Sequence, residues 1–299
     1  MYARRHVSTA NRNRVEPTFP PPPHRWRTVV AALAAAGAVF AGAYHADAGE
    51  YGRPQITISA SAQGLAVPSE VPGGLVDITL ETEADEAAGA ENVGHHLVIA
   101  RLNDGVTLEE AMAAGDAAFT TMMTVKGGNG TIAAGDSLEM TLDLQPGNYF
   151  VLDNPQLPDP VIETFVVVEP TGVAPAPEAE GTVHIGPNMV ISVPENFDGT
   201  GVWHFVNDDP ALLHEAAMAK LAEGKTMDDV IVWGQHGFAG EPPFVGEFGS
   251  MGALGPGEQG WTTLVPPGPG EYVLICFVPD ESGMPHLGNG MVVPFTVVD

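Results

Sequence analysis

Cys276 is followed after nine residues by His286 and, four residues further on, by Met291. It is the only cysteine of the chain, so neither an intramolecular disulfide nor a multi-thiolate zinc site can account for it. A thiolate closing one strand, an imidazole in the loop behind it and a thioether opening the next strand are three of the four donors of a type 1 copper site. Thiolate and thioether are soft donors suited to Cu(I), and imidazole serves both oxidation states. A trigonal His2Cys plane with a weak axial Met holds one geometry for both. The second equatorial histidine must come from an earlier strand beside the Cys strand, and His214 is the candidate. His236, in a Gly-rich loop, competes with it; His204, inside the strand-like run Val-Trp-His-Phe-Val, reads as a core histidine bonded to a carbonyl. Singly, Cys276 would be a small apolar core residue and Met291 a core methionine; their joint spacing with His286 favours copper. Met284 reads as loop filler, and Glu215 and Asn207 are candidates to orient the histidines from behind.

The elements that must position these residues come as a repeat. Residues 102–111 match 221–230 at an offset of 119, residues 146–152 match 269–275 at 123, and 165–168 match 295–298 at 130. Three ordered matches with slowly growing offsets indicate a duplicated domain. In the first match each copy ends a strand, turns at a Gly and starts a short helix at a Thr N-cap with an acid three residues on, Glu110 or Asp229. The acid pairs Glu109/Glu110 and Asp228/Asp229 thus belong to helix first turns, where the dipole explains them. Around these helices lie short alternating runs separated by Gly and Pro. They predict an all-β chain of two tandem Greek-key β-sandwiches of about seven strands, each with a short inserted helix. The expected organisation is a leader at 1–48, a first sandwich at 49–170, a Pro/Ala/Glu linker at 171–180 and a second sandwich at 181–299.

The pattern Cys276-x9-His286-x4-Met291, together with Phe205-Val-Asn-Asp-Asp-Pro, His214-Glu and the Gly-Lys-Thr turn behind it, resembles bacterial exported cupredoxin-like proteins of the plastocyanin/azurin type. The resemblance covers most of 181–299 and, more weakly, 54–170. It implies one copper at His214, Cys276, His286 and Met291, and one-electron transfer. The gap between Cys276 and His286 is longer than in small plastocyanins and nearer the long loop of copper nitrite reductases. The first copy has Asp153 at the Cys276 register and Val161 at that of Met291, lacks the loop bearing His286, and keeps His95 at the register of His214. It is expected to hold the fold without the metal, with His95 and His96 capping or pairing at a strand end.

Composition narrows the setting. The chain has 299 residues, 11 Lys+Arg against 38 Asp+Glu, and a formal charge of −27. Beyond residue 48 only five cations face 36 acids, a surface that repels phosphate backbones and anionic lipid, which excludes nucleic-acid binding. The apolar run 28–43 follows an Arg-rich leader and precedes Ala46-Asp47-Ala48, the form of a cleaved export signal. The run is short of the ~20 residues of a membrane-spanning anchor; an uncleaved N-terminal anchor is the alternative to cleavage and the one expected contact with a membrane. Arg4-Arg5 lies too far ahead of it for a twin-arginine signal. The expected location is periplasmic or secreted, where metal ligation would protect an unpaired thiol.

The leading expectation is an exported copper protein acting as a one-electron carrier with an unidentified redox partner protein. The alternative is a metal-free structural or interaction protein of two cupredoxin-like domains. An enzyme is disfavoured, because multicopper enzymes connect a second centre through a histidine beside the type 1 Cys. Here Cys276 lies between Ile275 and Phe277, and the chain has no His-x-His pair.

Overall fold

The computed structural model describes residues 47–48, 52–61, 63–83, 94–153 and 160–298. The leader expected at 1–48 falls almost wholly outside them.

In the first half, strands run β1 (Asp47–Ala48), β2 (Pro54–Ser61), β3 (Gly64–Ala66), β4 (Glu70–Pro72), β5 (Gly74–Thr82), β6 (Leu97–Leu102), β7 (Met123–Gly128), β8 (Ser137–Leu144), β9 (Gly147–Asp153) and β10 (Val161–Val168). Helices α1 (Leu108–Ala114) and α2 (Ala118–Thr121) lie between β6 and β7. The second half has β11 (Thr182–Gly186), β12 (Val190–Ser192), β13 (Gly201–Asn207), β14 (His214–Leu221), β15 (Phe244–Glu247), β16 (Met251–Leu254), β17 (Gln259–Leu264), β18 (Gly270–Ile275) and β19 (Val292–Val297). Its helix α3 (Met227–Gln235) follows β14. Both predicted N-caps form full capping boxes: the Thr107 and Thr226 hydroxyls accept from the N3 amides, and Glu110 and Asp229 accept from the cap amides.

The two halves share one pairing pattern. β2 runs parallel to β5, which pairs antiparallel with β8; likewise β11 runs parallel to β13, which pairs antiparallel with β17. In the facing sheets β9 lies between β6 and β10, and β18 between β14 and β19. Alternating burial along β2 and β5 (Ile56, Ile58, Ala60; Val76, Ile78, Leu80) turns every second side chain into the space between the sheets.

The halves are not beads on a linker. β8 pairs antiparallel with β17, which fuses two three-stranded units and their edge strands into a single nine-stranded sheet. Across the junction Gly260 gives room: a Cβ there would meet Leu142 Cδ2 at 2.7 Å and Met251 Cε at 2.8 Å. One core cluster therefore continues from Ile58 and Leu142 in the first half to Met251 and Phe205 in the second. Further links are Ser250 N–H to Asn129 O at 3.1 Å, Gly255 N–H to Val125 O at 2.8 Å, and buried Lys126, which donates to Gln145 Oε1 at 2.8 Å and to Glu258.

Candidate metal centre

The site is built at one end of the second sandwich, where β14 starts and β18 stops. His214 is the first residue of β14 and is fully buried. Its position is fixed from the preceding loop. Asn207, at the end of β13, accepts from Asp209 N–H at 3.0 Å and donates to the carbonyls of Leu212, Leu254 and Gly255 at 2.9, 2.8 and 3.0 Å. Asp209 Oδ1 accepts from the amides of Ala211 and Leu212, both at 2.9 Å, closing a tight turn. Its Oδ2 lies 3.4 Å from His214 Nε2.

Cys276 comes directly after β18 and is fully buried. Its Sγ accepts from Glu215 N–H at 3.4 Å, and Glu215 Oε1 accepts from Phe277 N–H at 2.8 Å. The residue after each of these two ligand candidates thus ties the His214 strand to the Cys276 strand. The long gap to His286 is taken up by a self-contained turn. Asp280 Oδ1 accepts from Ser282 N–H, Ser282 Oγ and Met284 N–H at 2.8, 2.6 and 3.0 Å, and Oδ2 accepts from Asn289 Nδ2 at 3.0 Å. His286 N–H then bonds Val278 O at 2.9 Å and Leu287 N–H bonds Cys276 O at 2.9 Å, which returns the chain to the thiol. Helix α3 backs the turn at 286–289: Gln235 Nε2 donates to Gly288 O at 3.0 Å, and buried Gly234 faces Leu287.

Within this frame three donors converge. Cys276 Sγ lies 3.4 Å from His286 Nδ1 and 3.9 Å from His214 Nδ1, and the two Nδ1 atoms are 3.1 Å apart. All lie within 4.8 Å of one another, and all three residues are buried. Met291 is fully buried beside them: Cys276 N–H bonds its carbonyl at 3.2 Å and its own N–H bonds His286 O at 3.0 Å.

Electrostatics favour neutral imidazoles here. Burial, then the neighbouring His214, pushes His286 down to about 4; burial lowers His214 too, against the opposing pull of Asp209. Burial raises the Cys276 thiol, and so does the Glu215 charge, while amide donors oppose them. The thiol is held high beside two imidazoles that favour the neutral form, and a bound cation would favour its thiolate. For Asp209 burial is the largest influence and raises the carboxyl; together the Ala211 and Leu212 amides and His214 outweigh it and hold the group below the usual carboxylate range.

The donor set discriminates among metals. A structural zinc site wants four strong N, S or O donors; here three converge, two imidazoles and one thiol, and buried Met291, bonded through its backbone to Cys276 and His286, is the thioether at hand, a set that suits copper in both oxidation states. Each half packs two facing sheets, and the donor set at the end of the second fits one type 1 copper.

No protein-family model and no curated protein matches the chain. Among solved structures it is similar to reduced auracyanin from the photosynthetic bacterium Roseiflexus castenholzii, at 23% identity over 41% of this chain and 100% of that one, with a TM-score of 0.25. It is also similar to a multicopper oxidase, at 14% identity over 86% of this chain and 93% of that one with a TM-score of 0.25, and to the copper nitrite reductase of Nitrosomonas europaea, at 13% over 82% and 94% with a TM-score of 0.22.

The remaining sequence candidates sort cleanly. His236 does not approach the centre: it caps α3, exposed, with Nδ1 on Val232 O at 2.7 Å. His204 faces the outer side of the large sheet, stacked on Trp261, with Nε2 2.8 Å from the side-chain carbonyl oxygen of Gln259. In the first half His95 Nδ1 lies 2.6 Å from Asp153 Oδ2 in a buried pair, so residues at the registers of His214 and Cys276 meet here as base and acid. His96 lies beside them with Nδ1 3.4 Å from Thr131 Oγ1. Asn207 ties the loop before His214, and Glu215 Oε1 accepts from the amide after Cys276. Asp209, whose Oδ2 faces His214 Nε2, is the contact the sequence reading missed; the Asn-Asp-Asp-Pro run, a turn signal, was its one trace.

Proposed function

We propose that this chain is an exported one-electron carrier whose second half, residues 181–299, holds a type 1 copper through His214, Cys276, His286 and Met291. The observation that carries the reading is the convergence of two imidazole nitrogens and one thiol within 4.8 Å in a fully buried site. Copper bound there supplies a Cu(II)/Cu(I) couple that takes up and releases a single electron. The protein's part is rigidity. Backbone bonds from Cys276 to Met291 and Leu287, and the Asn207 clamp on the loop before His214, hold the donors before metal arrives, so one geometry serves both oxidation states.

The first half, 49–170, with its linker at 171–180, completes the shared sheet and core, and none of its described residues joins the donor cluster. Export through the leader at 1–48 suits a thiol chemistry that needs protection outside the cytoplasm. No described helix is long and apolar enough to cross a membrane. The redox partner, which would meet five cations against 36 acids beyond residue 48, is cationic or neutral.

A redox titration of the copper-loaded protein tests the reading. Reversible uptake of one electron per copper, without turnover of nitrite or a phenolic substrate, is expected. Turnover of either substrate would make it an enzyme, and a protein exported without copper would make it a structural module.

A further inference from the structure

Asp209 carries a charge that its visible structural task does not require. Its Oδ1 closes the turn before His214 by accepting the Ala211 and Leu212 amides, a task that a neutral Asn oxygen also performs in such turns, and a Ser oxygen more weakly. A carboxylate is nevertheless held there, 6% exposed. Its second oxygen, which the turn does not use, is directed at His214 Nε2 at 3.4 Å. His214 presents its other nitrogen, Nδ1, to Cys276 and His286. The imidazole therefore stands between the carboxylate and the donor cluster.

We propose that Asp209 is a positioning residue that lowers the reduction potential of this site by keeping an anionic carboxylate on the Nε2–H of His214. The inference rests on the copper reading above and deepens it. Two effects act in one direction. Accepting Nε2–H fixes the tautomer that leaves the Nδ1 lone pair free to ligate and raises its basicity. A negative charge one imidazole away, in a buried site where screening is weak, favours the more positive oxidation state.

The test separates charge from orientation. Asp209→Asn keeps an oxygen for the turn and removes the charge; Asp209→Ser does the same with a shorter side chain if the Asn variant folds poorly. Loss of an outer partner of a ligating histidine costs 10–100-fold in metal affinity. A tenfold loss confined to Cu(II) raises a one-electron potential by about 59 mV. The expected result is a rise of that order with the thiolate-to-copper absorption retained. In the metal-free protein the His214 Nε2–H proton resonance should move or begin to exchange, while the urea midpoint stays close to wild type. A blue Asp209→Asn or Asp209→Ser protein with the wild-type potential overturns the proposal. A wild-type protein that forms no thiolate-copper chromophore overturns the copper reading instead, a different and separable outcome.

Discussion

Gly234→Ala probes how helix α3 sets the position of His286. Gly234 is buried where α3 meets the turn at 286–289, and an added Cβ would lie 2.0 Å from Leu287 Cδ1, 3.0 Å from its Cγ and 3.2 Å from Gly288 N. Ordinary contact begins at 3.4 Å, so the leucine methyl must retreat by about 1.4 Å and the backbone by a few tenths. Leu287 cannot simply turn away, being fully buried against Val230, Ile275 and Val292. In an unobstructed helix the substitution stabilises by ~1 kcal/mol, whereas overpacking costs ~1–3 kcal/mol, so a net loss of up to ~2 kcal/mol is expected in urea unfolding of the metal-free protein. The larger effect falls on the site, because Leu287 follows His286 and bonds Cys276 O. Copper affinity should fall, and the thiolate-to-copper band should shift. In a Leu287→Ala background, where the space is empty, Gly234→Ala should recover the ~1 kcal/mol helix gain, and the cycle measures the coupling. A Gly234→Ala protein stabilised by ~1 kcal/mol with an unchanged copper spectrum would refute the claim that α3 and the His286 turn are in tight contact.

Two further predictions concern the halves and pH. Lys126, 1% exposed, bonds Gln145 in its own half and Glu258 in the other; Lys126→Met should lower stability by ~1.5–3 kcal/mol and separate the unfolding of the two halves into distinct transitions, and a single wild-type-like transition would contradict this. In the metal-free protein His286 is depressed to about 4 by burial and by His214, against about 6.5 in the unfolded chain. The unfolded chain therefore binds more protons as pH falls, so this contribution to stability is present above about 6.5 and is lost on descending to about 4. Urea midpoints should fall over that window in the wild type and less steeply in His286→Gln; parallel curves would contradict the assignment.

The sequence made the ligand candidates legible because Cys276, His286 and Met291 sit in one short segment, and because the Asp153 and Val161 registers of the first half removed the same positions from consideration there. It also showed both capping boxes, whose residues are local. The strand of His214 was expected from its need to lie beside the Cys276 strand and not from its own residues: β14 reads Glu-Ala-Ala-Met-Ala-Lys, with strong helix formers, and is buried on both faces between β16, β18 and the core, where small side chains are what fit. What escaped were arrangements without local periodicity. The β8–β17 pairing that joins the halves has no sequence signature, since Thr141 and Trp261 would serve equally on an exposed face. Asp209 was hidden in a turn because its second oxygen matters only once β13 and β14 are placed.

The central claim is that Cys276, with His214 and His286, ligates copper. Its most direct measurement is the visible spectrum of the Cu(II)-loaded protein beside that of Cys276→Ser. An intense thiolate-to-copper absorption in the wild type, absent in the variant together with most of the copper affinity, is the predicted result. A colourless wild-type protein, or a Cys276→Ser protein that holds copper as tightly, would contradict it.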